Sequence, residues 1–444
     1  MNRKNNICVY GLGYVGLPLL CLLAENKIKV VGVDVNSQIV NNLKNGRLTF
    51  YEKGLQTYYN KIYYKKNFSI TKKLTSEQHQ NTNVYIICVG TPLINLRKTD
   101  NKALIRVSKE ISKHINDDDL VILRSTVNIG TTRRLILPIL NKSKKNFNLS
   151  YCPERTLEGD SINELRINPQ IISSNSLSGL NKTNNIFKIF LKTIINVSSF
   201  ETAELIKLMD NLYRSYNFAF ANQIALLCDK ININVNEVIS SANKFYKRTN
   251  IAKPGPVGGP CLSKDPYIFA NSLTKFRLSN EFILLSRKTN DLVVEEISKY
   301  ILSFLNSKNN NDFKFKISFL GLAFKGYPVT DDIRDSSTLD IFANIKKKYK
   351  KSVYYCYDPI VSSKIIRNNI FKYCNNINEA FRNSDVVIIS NNNFDFRNLD
   401  LPYLSNLMKK KSLIYDVWNL YKDISMNNII NCSIKSFGNK KLIH

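Results

Sequence analysis

Residues 6–34 read Asn6-Ile-Cys-Val-Tyr-Gly11-Leu-Gly-Tyr-Val-Gly16-Leu-Pro-Leu-Leu-Cys-Leu-Leu-Ala-Glu25-Asn-Lys-Ile-Lys-Val30-Val-Gly-Val-Asp34. A short apolar run ends at Gly11-x-Gly13-x-x-Gly16, helically spaced apolar residues follow from Leu19 to Glu25, and a second apolar run closes on Asp34. Strand, glycine turn, helix, strand and acid, in that order, form the fingerprint of a dinucleotide-binding βαβ unit. Gly11 permits the tight turn, Gly13 lets backbone approach a pyrophosphate, and Gly16 allows close helix packing, with Tyr14 and Val15 carried between them. The helix N-terminus then faces the phosphates. Asp34 lies where a carboxylate accepts hydrogen bonds from both ribose hydroxyls of NAD and repels a 2′-phosphate, so NAD is expected rather than NADP. Ile7 to Ala24 is apolar enough to resemble a signal-peptide core or a short membrane span. Three glycines and a proline within it, and no small-residue cleavage pattern after it, read against both.

Further strands ending in polar turns are expected at 83–90, before Thr91-Pro92, and at 120–123, before Arg124-Ser-Thr-Val127. In a doubly wound sheet ligands sit beyond the carboxyl ends of the strands, which places Thr91 and Thr126 either at the cofactor cleft or as caps of the next helix. From Glu201 to Lys230 there is neither Gly nor Pro, and the apolar spacing predicts one long helix. Glu204, Lys207 and Asn211 share a stripe on it, so Lys207 and Asn211 can point together at one ligand; the bland reading is a solvated charged face. Helix continues to about residue 306, interrupted by a Gly- and Pro-rich loop. After a polar linker the strand, glycine turn and helix pattern restarts at Phe315–Leu320 and Gly321-Leu-Ala-Phe-Lys-Gly326, with later strands at 353–357, 386–389 and 413–416. The expected fold class is α/β: two Rossmann-like doubly wound domains, residues 1–200 and 313–444, joined by a central helical region, 201–306.

A chain of 444 residues has length for two or three domains, and 43% hydrophobic with 22% charged residues is a globular balance. Its net charge of +29 points toward polyanions, yet the lysines are scattered and match no nucleic-acid module. Nucleic acid is not expected as a partner, nor is a membrane. The nine cysteines contain no CxxC pair. That spacing gives neither a zinc site nor a disulfide framework, so no metal is expected, and reduced thiols suit cytoplasm.

One cysteine stands apart. Cys261 lies in Pro254-Gly-Pro-Val-Gly-Gly-Pro-Cys-Leu-Ser-Lys-Asp-Pro-Tyr267, with Gly258 before it and Asp265 after it. Most free cysteines are buried and inert. A thiol on an open glycine loop can be approached by substrate and activated by a nearby cation or helix N-terminus.

Taken in order, GLGYVGLP at 11–18, VGTP at 89–92, STV at 125–127, CPERTLEG at 152–159, ELIKLMDN at 204–211, GPVGGPCLSKDPY at 255–267 and GLAFKGYPVTDDIRDSS at 321–337 resemble the UDP-glucose/GDP-mannose dehydrogenase family over almost the whole chain. The resemblance implies oxidation of a sugar C6 alcohol to a carboxylate with two NAD⁺ and one thiol. It makes Cys261 the nucleophile, Lys207 the oxyanion-stabilising cation with Asn211 as its partner, and Asp265 the acid that assists water and proton transfer. Glu154 and Glu158 match glutamates near the reacting carbon, although many members acting on N-acetylated sugars carry proline at the second. Thr126 matches a hydroxyl near the transferred hydride. Lys325 and Arg334 match basic residues reaching the substrate cleft and the NAD phosphates, Gly258 and Tyr267 fall at substrate-binding positions, and Arg248 matches a sugar contact made from a partner subunit. Family members are typically homodimers built on the long helix, so the stripe around Leu208 to Phe220 is expected to be covered by a second copy.

Pro260, before the nucleophile, and Tyr327-Pro328-Val329 depart from the commoner pattern without removing a reacting group. Arg155 and Pro266-Tyr267 look like the branch acting on UDP-N-acetylhexosamines, and Glu158 like the UDP-glucose branch; a GDP-mannose enzyme and a non-catalytic nucleotide-binding protein stay open. The implied product, a uronic acid, would feed surface polysaccharide synthesis.

Overall fold

The computed structural model describes residues 6–65, 67–94, 98–308, 314–421, 429 and 432–443. It divides into two compact units, residues 1–211 with 267–280, and residues 212–266 with 281–444.

The first unit is built on an eight-stranded sheet. Its strands are β1 (Asn6–Tyr10), β2 (Lys29–Val33), β3 (Phe68–Thr71), β4 (Val84–Ile87), β7 (Leu120–Leu123), β8 (Asn148–Tyr151), β9 (Gln170–Ser174) and β10 (Ile194–Asn196), in the order β10-β9-β8-β7-β4-β1-β2-β3. A two-stranded ribbon, β5 (Leu93–Ile94) with β6 (Lys98–Thr99), stands apart from it. The ribbon is antiparallel, and within the eight-stranded sheet the ladders are parallel except β8 with β9. Parallel strands are covered on both faces, which is why β4 and β7 read as unbroken apolar runs. Alternate residues of β1 go to opposite cores: Ile7 and Val9 join Leu19 and Leu23 of the first helix, α1 (Gly16–Glu25), whereas Cys8 and Tyr10 join Leu104 and Ile111. Strand order reverses between β1 and β4, which opens a crevice beyond their carboxyl ends.

The second unit repeats the plan. β11 (Lys316–Leu320), β12 (Val353–Tyr357), β13 (Lys372–Tyr373), β14 (Val386–Ile389), β15 (Ser412–Asp416), β16 (Cys432–Ser436) and β17 (Asn439–Ile443) are ordered β13-β12-β11-β14-β15-β16-β17, with only β16 and β17 antiparallel. The likeness extends to atoms. Gly11 and Gly321 both have left-handed φ, +89° and +94°, and each N–H donates at 2.8 Å to the last carbonyl of the neighbouring strand, Val33 or Tyr357. The acid that follows that strand accepts from the residue after the glycine, Leu12 N–H to Asp34 at 2.9 Å and Leu322 N–H to Asp358 at 2.7 Å. Both βαβ modules therefore form for the same local reason.

Three further helices carry the candidate site: α2 (Phe200–Ile231), α3 (Asp265–Lys275) and α4 (Glu281–Asn306). The single long helix expected from 201 to 230 is α2. Ala221 and Ala225 of α2 and Val293, Ile297 and Ile301 of α4 pack with Ile317 and Phe319 of β11 in one core of the second unit. The stripe expected to meet a second copy is divided: Leu208, Leu212 and Ala219 are buried by the chain itself, whereas Phe220 is exposed, as are Leu205, Met209, Tyr213 and Leu227. Among the described residues no helix is long and apolar enough to cross a membrane.

Candidate active site

In the first unit the glycine turn has the sterics of a dinucleotide cradle. A Cβ on Gly16 would lie 1.8 Å from the Gly11 carbonyl oxygen, so only glycine lets the helix start there. A Cβ on Gly13 would meet nothing within 4 Å, leaving backbone open to a ligand. Asp34 uses one oxygen on Leu12 N–H and the other on Asn36 N–H at 2.9 Å, which fixes its carboxylate at the carboxyl end of β2. Tyr14 packs on Phe50 with ring centroids 4.2 Å apart, and Val15 is half-buried beside it. An open cradle, a helix N-terminus and an oriented acid are what an NAD pyrophosphate and ribose require, so these residues fit that group.

The loops after β4 and β7 are tied together. Thr91, expected either at the cofactor cleft or as a helix cap, donates its hydroxyl to the Thr126 carbonyl at 2.6 Å, and Ser125 donates to the Val89 carbonyl at 2.6 Å. Thr126 itself is half-buried. Arg124, 1% exposed, pairs with Glu154 and donates to Gln170 Oε1 at 2.9 Å, spanning the ends of β7, β8 and β9. Glu154 accepts in addition from the N–H groups of Arg155 and Thr156 at 2.8 and 2.9 Å. Burial alone would raise its pKa, but the Arg124 charge and these hydrogen bonds prevail and hold it below the ordinary glutamate value. Glu154 is thus an ionised, fully engaged carboxylate. The segment bearing the half-buried Glu158 is pinned on both sides: Gly159 and Ser161 N–H donate to Glu52 at 2.9 and 2.7 Å, and Leu157 N–H to Glu164 at 2.7 Å.

On α2, Glu204, Lys207 and Asn211 are 0%, 8% and 6% exposed, which excludes the solvated-face reading. Glu204 accepts from Thr132 N–H at 2.8 Å, its hydroxyl at 2.6 Å and Gly130 N–H at 2.5 Å, closing the loop that follows Thr126. Burial raises its pKa, opposed by those hydrogen bonds. Asp210 accepts from Arg155 at 2.7 Å, so the arginine braces the 152–159 segment against α2. Tyr267, buried, opens the stretch of α3 that belongs to this unit.

In the second unit Cys261 is the exposed member of nine cysteines; the other eight are buried or half-buried and all are unbridged. Its carbonyl accepts from Asp265 N–H at 2.8 Å, so the thiol sits in the turn that starts α3, one turn before the buried Asp265. Lys264 Nζ lies 3.8 Å from the Asp265 carboxylate. The loop is anchored to the nucleotide-fold loops. Gly259 N–H donates to the Asp335 carbonyl at 2.9 Å, Ser263 donates to the Asp335 carboxylate at 2.7 Å, and a Cβ on Gly258 would lie 2.4 Å from the Asp335 carbonyl. Lys325 follows Phe324, whose ring its ammonium overlies at 5.5 Å. Arg334 is held by Asp332 through Nε at 2.9 Å. Arg248 is exposed, on the turn after residue 243. Sequence reasoning gave no role to Arg124, Asp210, Asn222, Arg287 or Asp335, whose partners lie far along the chain; a buried arginine carries no periodic signal.

Residues 5–191 match the NAD binding domain of the UDP-glucose/GDP-mannose dehydrogenase family, residues 201–292 its central domain and residues 318–423 its UDP binding domain. The chain belongs to that family. Nucleotide-sugar dehydrogenases of the family that resemble it include the UDP-N-acetyl-D-mannosamine dehydrogenase of Methanococcus vannielii, 32% identical over 94% of this chain and 93% of its own. That of Campylobacter jejuni is 33% identical over 88% and 95%. The solved UDP-D-ManNAc dehydrogenase of Pyrococcus horikoshii superposes with a TM-score of 0.86 at 28% identity, covering 98% of this chain and 99% of its own. A UDP-glucose dehydrogenase of Pyrobaculum islandicum, 22% identical with a TM-score of 0.83 over 94% and 95% of the two chains, shares the fold. As a family member the chain is an NAD-dependent oxidoreductase. Among its described residues no cluster of His, Cys, Asp or Glu could hold a metal ion.

Proposed function

We propose that the chain oxidises the C6 alcohol of UDP-N-acetyl-D-mannosamine to the carboxylate, for surface polysaccharide synthesis. The observation that carries the chemistry is Cys261, exposed on a braced glycine loop while the other cysteines are buried or half-buried. The choice of sugar rests on the curated relatives, which carry that dehydrogenase name in archaea and bacteria alike. Bound at the Gly11–Gly16 turn and Asp34, NAD⁺ would accept a hydride from C6 in each of two oxidations. Thr91 and Thr126 would line its cleft, and Arg334 its phosphates.

In the first oxidation the alcohol loses a proton and a hydride to give the aldehyde, with Lys207 and Asn211 stabilising the oxygen that gains negative charge. The Cys261 thiolate then forms a sulfur–carbon bond to the aldehyde carbon, whose oxygen takes a proton, and the thiohemiacetal stays on the protein. Loss of the second hydride and the hydroxyl proton leaves a thioester. Asp265, with Glu158, directs water to that carbon; the sulfur–carbon bond breaks and carboxylate and thiol are released. Glu154, with both oxygens engaged, acts here as a fixed negative charge shaping the pocket. Lys325, Gly258, Tyr267 and, from a second copy, Arg248 hold the nucleotide sugar. The second copy docks on the exposed Met209, Tyr213, Phe220 and Leu227.

The test is NADH formation with UDP-N-acetylmannosamine, UDP-N-acetylglucosamine, UDP-glucose and GDP-mannose. Two NADH per UDP-N-acetylmannosamine are expected, with Cys261→Ser stopping short of carboxylate while still binding NAD. One NADH with released aldehyde would refute the thioester route. Preference for another sugar would refute the substrate, and NAD binding with no turnover would favour a non-catalytic role.

A further inference from the structure

The loop that presents Cys261 has no repetitive secondary structure from residue 251 to 264, so its conformation depends on side chains that reach it from elsewhere. One side chain holds it on both sides of the sulfur. Arg287, on α4 and 5% exposed, donates Nη2 to the Val257 carbonyl at 3.0 Å and Nη1 to the Leu262 carbonyl at 3.3 Å. Asp291, one turn along α4, accepts from Nε at 3.0 Å and sets the plane of the guanidinium. Val257 and Leu262 are buried residues, so a carbonyl that loses this donor has little solvent from which to replace it. The neighbouring turn of α4 adds a second tie: Asn290 accepts from Asn222 at 2.9 Å, and Asn222 accepts from Gly255 N–H at 2.8 Å. A planar fork suits two carbonyls separated by one loop, and a lysine ammonium does not reproduce that geometry.

We propose that Arg287 is the positioning residue of the nucleophile: by fixing the carbonyls of Val257 and Leu262 it sets where the Cys261 sulfur stands, and aldehyde capture depends on it more than the first oxidation does. This rests on the reaction proposed above. The first oxidation forms no bond to Cys261. Capture requires sulfur and carbon at about 3–3.5 Å, and a misplacement of about 1 Å costs on the order of 10²-fold. A loosened loop therefore lets aldehyde leave before it is trapped.

The experiment counts products. Arg287→Met should move the yield from two NADH per sugar toward one, with free aldehyde recovered as its oxime in hydroxylamine, while KM for the nucleotide sugar and affinity for NAD stay within about threefold. Arg287→Lys should fall between wild type and Arg287→Met. A residue serving only overall stability would slow both oxidations together and keep the yield at two; that result overturns the proposal, as does a wild-type yield at an unchanged rate. Should Arg287→Met not fold, Arg287→Lys and Asp291→Asn carry the same measurement. If wild-type protein gives no NADH with any nucleotide sugar, the proposed function fails while the clamp stays testable. Iodoacetamide labelling of Cys261, followed by peptide mass, should then change threefold or more in Arg287→Met, because releasing the Val257 and Leu262 carbonyls alters the loop that sets the sulfur's surroundings. An unchanged rate would overturn it.

Discussion

Adding one methyl group at Gly13 and at Gly16 should give opposite results. At Gly16 the new Cβ would stand 1.8 Å from the Gly11 carbonyl oxygen, so turn or helix must shift by more than an ångström. Overpacking against backbone costs about 1–3 kcal/mol or more. Roughly 2–4 °C of melting temperature per kcal/mol applies to a domain of this size, so Gly16→Ala should melt several degrees lower. At Gly13 the Cβ meets nothing within 4 Å and φ is not left-handed, so Gly13→Ala should fold as well as wild type or gain about 0.4–1 kcal/mol from a stiffer unfolded chain. Its loss should appear only with NAD. With NAD bound as proposed at the Gly11–Gly16 turn, a methyl at Gly13 removes at least one charge-assisted hydrogen bond, about 1.5–3 kcal/mol, or roughly 10- to 150-fold in affinity. NAD at a hundred times the wild-type Kd stabilises wild type by about 2.7 kcal/mol, and Gly13→Ala should show about half of that shift or less. Thermal melts with and without NAD, supported by titration calorimetry, supply both numbers without a sugar substrate. Gly13→Ala binding NAD within threefold of wild type, or Gly16→Ala melting alongside it, would refute the cradle.

Lys207→Ala should lower kcat by far more than it changes NAD affinity, since in the proposed reaction its charge acts on developing oxyanions; equal losses in steady-state kinetics and calorimetry would mark a structural lysine. Arg124→Met leaves the buried Glu154 without its cation and should cost about 3–5 kcal/mol in denaturant unfolding, with Arg124→Met/Glu154→Gln recovering part of it. The stability that Glu154 adds over Glu154→Gln should be constant above the ordinary glutamate pKa of 4.5 and shrink as pH falls through the lower folded value, because the unfolded chain takes up the proton first. Melting curves across that range would read it, and a difference independent of pH would contradict the ionised pair. Phe220→Asp, on the exposed face of α2, should give a folded monomer by sedimentation; an unchanged dimer would move the interface elsewhere.

Both dinucleotide-type modules were legible because each is local. Gly11 to Asp34 and Gly321 to Asp358 contain every residue that makes the turn, the helix start and the acid-to-backbone bond, so pattern and geometry coincide. The cysteine loop was legible in composition alone. Glycines and prolines announce an open turn, but they do not say what holds it, and the groups that do, Asn222, Arg287 and Asp335, lie on three other segments.

The alternative left open on one face of α2 and the stripe misassigned on another have one physical cause. Periodicity assigns residues to faces of a helix and says nothing of what covers each face. For Glu204, Lys207 and Asn211 spacing left open a shared ligand or a solvated charged face, and the second fails because Glu204 is sealed by N–H groups 72 and 74 residues earlier in the chain. Leu208 and Leu212 read as apolar and free to meet a second copy, yet their own chain buries them while Met209 and Tyr213, adjacent in sequence, stay exposed. On a helix with apolar residues all round, the face left for a partner is whatever the rest of the fold does not use. Burying an acid beside the proposed catalytic lysine also has a consequence that spacing cannot supply. Because Glu204 closes the loop after Thr126 from the same helix that carries Lys207, a change at Glu204 should disturb Thr126 and Lys207 together, whereas a solvated glutamate would disturb neither.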